Sequence, residues 1–354
     1  MRLEIIDSVA RLHAIGEAWS RLAQRTPYPM LQHRWMLSAA EAYEGQVHLQ
    51  VFALWDGESL VALAPLARFH RGPAAHLQCL ARDVGEPDAF LYADRAALDA
   101  LVLAILRQGL ALKLSHLSRD GSEYAAVKAL GRGALSIERS GSGHAALLPA
   151  TQAQLDEGLS KSARTMLRRK QRRAEKFGSV QFLMETLQDD NRAAFLQDLV
   201  QVEASGWKGR NKTSLSHNEG QRRFFDLYLG RMAPSGALRG DRMLIDGRTV
   251  AIRLGLRSGG RLYELKIGFD EAFEACSPGI LLTHETLKAS IAEGLTVHEF
   301  LGVGENWQRH WPLRRQEQVT VRRYPPSLNG ACNLGRDAFA QLGGRVARAL
   351  AARR

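Results

Sequence analysis

The segment Gly259-Gly260-Arg261-Leu262-Tyr263-Glu264-Leu265-Lys266-Ile267-Gly268-Phe269-Asp270, followed by Cys276-Ser277-Pro278-Gly279-Ile280-Leu281-Leu282, constrains the fold more than any other part of the chain. Its first half alternates as a strand does, and its second enters a helix through Ser-Pro-Gly. Ser277 suits an N-cap, and Pro278 suits the first helical position, where its missing N–H costs nothing. Gly279 lets a ligand approach the unpartnered amides of the first turn. A helix start beside a strand end can hold a pyrophosphate. The combination points to a nucleotide-tailed acyl donor rather than to a metal or a sugar.

At 354 residues the chain has room for two domains, each with its own core. A content of 45% hydrophobic and 24% charged residues is that of a soluble globular protein. No apolar run is long enough to span a bilayer, and Met1-Arg2-Leu3-Glu4-Ile5-Ile6-Asp7 lacks the apolar core of a secretion signal, so a cytoplasmic location is expected. Cys79, Cys276 and Cys332 stand far apart, and the histidines form no HxxxH or HxH pair. Neither a disulfide framework nor a metal centre is expected. The net charge of +11 favours an anionic partner, which charge alone does not identify as nucleotide, nucleic acid or acidic membrane.

Two stretches share a plan. The first has a strand at 3–6, helices at 9–23 and 34–43, a hairpin of 47–55 and 60–69 turning at Asp56-Gly57, a strand at 76–80, a helix at 96–107 and a strand at 112–117. The second has helices at 191–204 and 219–231, a hairpin of 238–245 and 249–256 turning at Asp246-Gly247, a strand at 261–267, a helix at 278–292 and a strand at 296–301. Asp-Gly between apolar runs is a strong hairpin signal. Leu155 to Phe177 is polar and basic with no Gly or Pro after Gly158, which predicts one long helix ending at Gly178. The expected division is an N-terminal lobe at 1–150, a basic connecting helix at 151–178, a C-terminal lobe at 179–330 and a terminal helix at 331–354.

With these residues in view the chain resembles the double-lobed GNAT-like acyltransferases of CelD/BcsL type, relatives of the Fem peptidyltransferases. The resemblance runs through Trp19, Trp35, Val61-Ala62-Leu63-Ala64-Pro65-Leu66, Arg164 and Arg168, and Gly206-Trp207-Lys208-Gly209. It continues through Asp246-Gly247 with Val250-Ala251, Tyr263 to Asp270, Ser277-Pro278-Gly279, and Gly302 to Trp311. Order and spacing carry it. It implies an α/β fold of two tandem GNAT-like lobes, each a mixed, mostly antiparallel sheet flanked by helices. Near the end, Trp307 and Trp311 fit the pattern, but Gln308 stands where the family places a lysine; Arg309 is the neighbouring charge.

Each candidate residue has an ordinary structural reading beside the functional one. On the strand, period-two alternation puts Glu264 and Lys266 on one face and Tyr263 and Leu265 on the other. Glu264 and Lys266 are the expected catalytic pair, deprotonating or orienting an acceptor, or else a solvent-facing ion pair. Ser277, Gly279, Ile280 and Leu281 are the donor-phosphate candidates, or a plain capped helix. Trp207 and Lys208 wall the substrate, or anchor a helix by a buried indole. Tyr263, Glu305 and Arg309 are further substrate candidates, and His284, His298 and His310 are weaker ones. Arg164 and Arg168, four apart on one helix face, bind an anion or belong to a solvated face.

The leading expectation is an acyltransferase that takes acyl-CoA (acetyl-CoA the simplest) as co-substrate, with no permanently bound cofactor. It would transfer the acyl group directly to an amine or hydroxyl of a small-molecule or glycan acceptor, in polysaccharide or cell-envelope metabolism. Fem-like transfer from aminoacyl-tRNA is one alternative, motivated by the basic helix. A non-catalytic binding protein on the same frame is another.

Overall fold

Of the two Asp-Gly pairs, Asp246-Gly247 folds as its chemistry dictates. The computed structural model describes residues 1–354 except 25, 27, 71, 82–86, 132, 207–213 and 352–354, and describes 341–351 by backbone alone. Asp246 and Gly247 both take positive φ, 50° and 78°, and join Ile245 directly to Arg248 across the ladder. This two-residue turn matches the right-handed twist of its flanking strands. In the earlier hairpin Asp56 still pairs with Ser59, so the turn is Gly57-Glu58 rather than the expected Asp56-Gly57, with Gly57 at φ 58°.

Along the chain the strands are β1 (Arg2–Ile6), β2 (His48–Leu49), β3 (Val51–Asp56), β4 (Ser59–Ala64), β5 (Leu66–Phe69), β6 (His76–Cys79), β7 (Leu91–Tyr92), β8 (Ala111–Ser118) and β9 (Leu135–Leu147). They continue as β10 (Val180–Thr186), β11 (Leu238–Ile245), β12 (Arg248–Ser258), β13 (Arg261–Phe269), β14 (Val297–Glu299) and β15 (Leu313–Tyr324). The α-helices are α1 (Val9–Ala14), α2 (Gly16–Ala23), α3 (His33–Ala42), α4 (Arg95–Leu106), α5 (Ser122–Leu130) and α6 (Gln152–Gly158). After these come α7 (Lys161–Ala174), α8 (Arg192–Ala204), α9 (Glu219–Met232), α10 (Pro278–Ala292) and α11 (Leu328–Ala351). The protein is a mixed α/β fold of mixed sheets flanked by helices.

Packing divides the chain into one unit of 1–141 with 317–354 and another of 142–316, so the last segment of the chain belongs with its beginning. In the first unit β1, β3, β4 and β7 form one sheet, and β15, β8, β6, β5 and β2 follow one another in a second. Phe52, Leu54, Leu98, Leu101, Leu114 and Val321 are core residues there.

In the second unit the order is β10-β11-β12-β13-β14-β9. The first four strands are antiparallel, and β14 joins β13 in parallel. Thr283, Thr286 and Ser290 of α10 bond to side chains of β11 and β12, so α10 covers one face. The other face carries α8, whose Phe195 packs so tightly on Gly240 of β11 that a Cβ there would meet its ring at 2.5 Å. Leu167, Met243, Ile245, Leu281, Leu287 and Trp311 lie in this core.

The basic segment is two helices rather than the single one expected over 155–177. Leu159 leaves the helical region with ψ 143° and is buried, and Ser160 Oγ accepts from Ala163 N–H (3.1 Å) to start α7 afresh. A buried leucine and a serine cap outweigh helix propensity at this point.

Candidate active site

The strand β13 is where local pattern and tertiary structure part. On β12, Leu254 and Gly255 are adjacent, but their partners on β13 are Lys266 and Glu264, so Leu265 is the extra residue of a β-bulge. A bulge breaks the alternation of faces. Glu264 therefore shares the α10 face with Arg253, and Lys266 turns to the α8 and α9 face, so the expected shared face of Glu264 and Lys266 does not form.

On the α10 face Glu264 is buried. Its carboxylate lies 2.9 Å from Arg253 Nε and 3.4 Å from His298 Nε2. Arg253, 2% exposed, donates through Nη2 to Thr283 Oγ1 (2.6 Å), while its Nη1 and His298 Nδ1 are buried without a hydrogen-bond partner. Burial holds the His298 pKa below its ordinary value, keeping the ring neutral. Beside this group Arg239 pairs with Asp241 (2.7 Å) and reaches Ser290 Oγ (3.0 Å), and Thr286 donates to Asp241 (2.7 Å). On the opposite face Lys266 lies 3.4 Å from Glu203 Oε1, donates to Gln221 Oε1 (3.2 Å) and sits over the Phe225 ring. Glu203 Oε2 in turn accepts from the Leu215 amide (3.2 Å).

The strands also part. β13 pairs with β14 only from Arg261 to Tyr263, opposite Val297 to Glu299, and then runs on to Phe269 without that neighbour. Beyond Glu299 the chain turns to His144, whose carbonyl accepts from Phe300 N–H (3.2 Å). A cavity of about 370 Å³ is lined by residues of β13 beyond its β14 pairs (Ile267, Gly268, Phe269), by Ile252 and Arg253, and by the start of α10. Gly279, Ile280, Leu282 and Thr283 face it from α10, and Glu203, Glu274 and Glu305 add carboxylates.

The entry into α10 differs from an ordinary cap. Ser277 takes a left-handed conformation (φ 49°, ψ 61°), and its hydroxyl caps no amide. Its carbonyl instead accepts from Ile280 (3.0 Å) and Leu281 (3.3 Å). Pro278 has no N–H, so of the first-turn amides only that of Gly279 makes no such bond to Ser277. Ser277, Gly279 and Ile280 line the cavity; Leu281 and Leu282 both lie in the core, and of the two Leu282 reaches the cavity wall.

Other candidates sort by environment. Glu305 is exposed, lines the cavity and accepts from Trp307 Nε1 (2.6 Å). Gln308 is buried; its side-chain oxygen accepts from Glu305 N–H (2.9 Å) and meets His144 Nδ1 (2.7 Å), so the place of the family lysine is structural here. Arg309 is exposed and lies outside the cavity lining. Tyr263 is buried at the last β13–β14 pair. Trp311 Nε1 donates to His284 Nδ1 (3.4 Å), and His284 Nε2 meets Asp156 (3.0 Å), which ties α6 to α10. Arg164 caps α6 by donating to the carbonyls of Asp156 (3.3 Å) and Glu157 (3.2 Å), and Arg168 is exposed. Two residues of α7 not singled out, Lys170 and Arg173, both donate to Ala275 O, at 3.1 and 3.2 Å, just before Ser277. Trp207 and Lys208 lie outside the described residues. Sequence reasoning missed Arg253 and Glu203; a lone arginine inside Thr249-Val-Ala-Ile-Arg-Leu-Gly-Leu256 was the available signal for the first.

Comparison with known proteins places this geometry. The family described as Acetyltransferase (GNAT) domain matches residues 161–309, inside the second unit. No curated protein matches the chain. Among solved structures, the chain is similar to a conserved protein of unknown function from Bacteroides thetaiotaomicron VPI-5482 (TM-score 0.56, 14% identity, 91% of this chain and 99% of that one). It is also similar to FemX (TM-score 0.57, 12% identity, 91% and 97%). A third is a tandem GNAT protein from the clavulanic acid biosynthesis pathway (TM-score 0.51, 12% identity, 92% and 100%). At these identities the likeness is one of fold. Residues 161–309 match a GNAT acetyltransferase domain, a match that supports a transferase.

Proposed function

We propose that residues 142–316 transfer an acyl group from an acyl-CoA thioester directly to an amine or hydroxyl of a small-molecule or glycan acceptor, in the manner of CelD/BcsL-type enzymes. One observation carries this reading: β13 leaves β14 after three pairs, and a cavity of about 370 Å³ opens there against the start of α10. Ile252, Ile267, Phe269, Ile280 and Leu282 offer an apolar wall to an acyl chain. The Gly279 amide and the positive end of the α10 dipole favour the anionic part of the donor. At the acceptor end stand Glu203, Glu274 and Glu305; the exposed Glu305 is our choice for the group that takes the acceptor's proton. Lys266 fixes Glu203, and Glu264 fixes Arg253, so both are positioning residues in this reading.

In the reaction the acceptor nitrogen or oxygen bonds to the acyl carbon, the C–S bond breaks, and CoA leaves as a thiol. A covalent acyl-enzyme has little support. The Cys276 thiol donates to Phe273 O (3.1 Å), and burial pushes its pKa up, away from the nucleophilic thiolate.

Calorimetry with a panel of acyl-CoA thioesters tests the proposal. Gly279→Val should fold normally, because a Cβ there meets only Phe269 at 3.7 Å, and should weaken binding by narrowing the cavity. Absence of binding by any CoA thioester, or equal binding by Gly279→Val, would overturn it.

A second reading, aminoacyl transfer from charged tRNA, is favoured by α7, whose Lys170 and Arg173 converge on Ala275 O while Arg168, Arg169 and Arg172 are exposed. It requires tRNA affinity that falls linearly with salt on logarithmic axes. A flat response removes it.

A further inference from the structure

The first unit holds a second polar cavity, of about 220 Å³, between the starts of β6 and β8, the end of β15, and α11. Its lining includes Lys113, Arg322, Arg323 and Arg336, and Asp337 is the single carboxylate among the described lining residues. Arg322 Nη1 approaches Asp337 Oδ2 at 2.7 Å and Arg336 Nη2 approaches Oδ1 at 3.6 Å, so two guanidinium groups converge on one carboxylate. Tyr324 donates to the same carboxylate (2.7 Å). Three guanidinium groups, those of Arg322, Arg323 and Arg336, outnumber the one acid, and Nε and Nη1 of Arg323 are buried without a hydrogen-bond partner. Like charges gathered in a half-enclosed space repel one another unless an anion joins them.

A second group asks for a different partner. Asn333 is 1% exposed; its Nδ2 donates to Ala75 O (3.1 Å) and Asn329 O (3.0 Å), which fixes the amide's orientation. Its Oδ1 is then a buried acceptor with no donor. Leaving such a group unsatisfied carries its full desolvation penalty. Nearby, Arg336 Nη1 donates to Ala74 O (3.2 Å) and Nη2 lies 3.5 Å from His76 Nδ1.

We infer that this cavity binds a small phosphomonoester that also carries a hydroxyl group. The guanidinium groups of Arg322 and Arg336, with Lys113, meet the phosphate, for which planar, forked donors are suited. The ligand hydroxyl donates to Asn333 Oδ1. The volume lies below the roughly 300–1,000 Å³ of pockets for drug-sized ligands. This site shares no residue with the cavity of 142–316, and the inference does not rest on the acyltransferase reading.

Calorimetry on the full chain at fixed ionic strength, with glycerol 3-phosphate, methyl phosphate and glycerol as probes, tests it. Glycerol 3-phosphate should bind, methyl phosphate should bind more weakly for want of hydroxyls, and glycerol should give no heat. Lys113→Gln and Arg336→Gln should each weaken glycerol 3-phosphate roughly tenfold while circular dichroism stays that of the wild type. Hydrogen exchange on the wild type, which needs no variant to fold, should show protection at 76–78, 111–113 and 322–337. Absence of glycerol 3-phosphate binding, protection confined to other segments, or unchanged affinity in folded variants overturns the site. Equal affinity for methyl phosphate overturns the role of Asn333.

Discussion

Removing Glu264 should unfold the second unit far more readily than it should remove a proton acceptor. Arg253 is 2% exposed, and the Glu264 side chain is 5% exposed. Glu264→Leu deletes the charge 2.9 Å from Arg253 Nε, leaving a buried guanidinium with Thr283 Oγ1 as its remaining partner and His298 without its carboxylate. Breaking one side of a buried ion pair costs about 3–5 kcal/mol, a large part of the roughly 5–15 kcal/mol that holds a domain folded. For a unit of this size the midpoint of thermal unfolding should fall by about 6–20 °C. The companion Arg253→Met with Glu264→Leu removes both charges and keeps apolar volume, so the double variant should recover most of the loss. Urea unfolding followed by circular dichroism, with calorimetric melting, measures the whole cycle. A cost below about 1 kcal/mol for Glu264→Leu, or a double variant no better than the single, would refute the reasoning. Glu264→Gln that melts like the wild type but no longer turns over substrate would return Glu264 to the role of base.

Three further outcomes follow from named contacts. Gly240→Ala places a methyl 2.5 Å from Phe195 Cε2 and 2.8 Å from Leu187 Cδ2, so overpacking should cost about 1–3 kcal/mol in urea unfolding. Asp88, 3% exposed, has its pKa raised from 3.8 to about 6 by burial, partly offset by the Ser115 amide. Because the folded-state value is the higher one, its stabilisation is full below the unfolded value and is lost as pH rises through about 6. Between pH 4 and 7 the wild type should therefore lose up to about 3 kcal/mol relative to Asp88→Asn in parallel denaturation series. Ile280→Trp, which fills the cavity from a half-buried position, should leave melting within about 1 kcal/mol of the wild type while lowering acyl-CoA affinity in calorimetry.

One hairpin turn and many of the elements were legible without a structure, whereas β9, β10, β15 and α5 were not read. Asp246-Gly247 fixes its hairpin because two consecutive positive φ angles suit that pair and few others, and Pro278 opens a helix because its fixed φ and missing N–H are harmless there. The bulge at Leu265 was not legible: it is a property of how β12 and β13 register, and no period in either strand alone encodes it. Nor was the break at Leu159, which depends on a core that accepts that side chain. Arg253 reads as an interruption in an apolar strand, yet its depth and its partners Glu264, Thr283 and His298 come from segments distant in sequence.

The amino-acid order by itself marked the Asp246-Gly247 turn, the β13 strand and the Pro278 helix start, since these follow from backbone preferences a few residues in range. Tertiary structure alone decided which charges face which helix, that Ser277 offers its carbonyl rather than its hydroxyl, and that β13 and β14 separate to leave a cavity. Those outcomes depend on register and on the mutual packing of distant segments, where a shift of one residue turns a side chain to the opposite face.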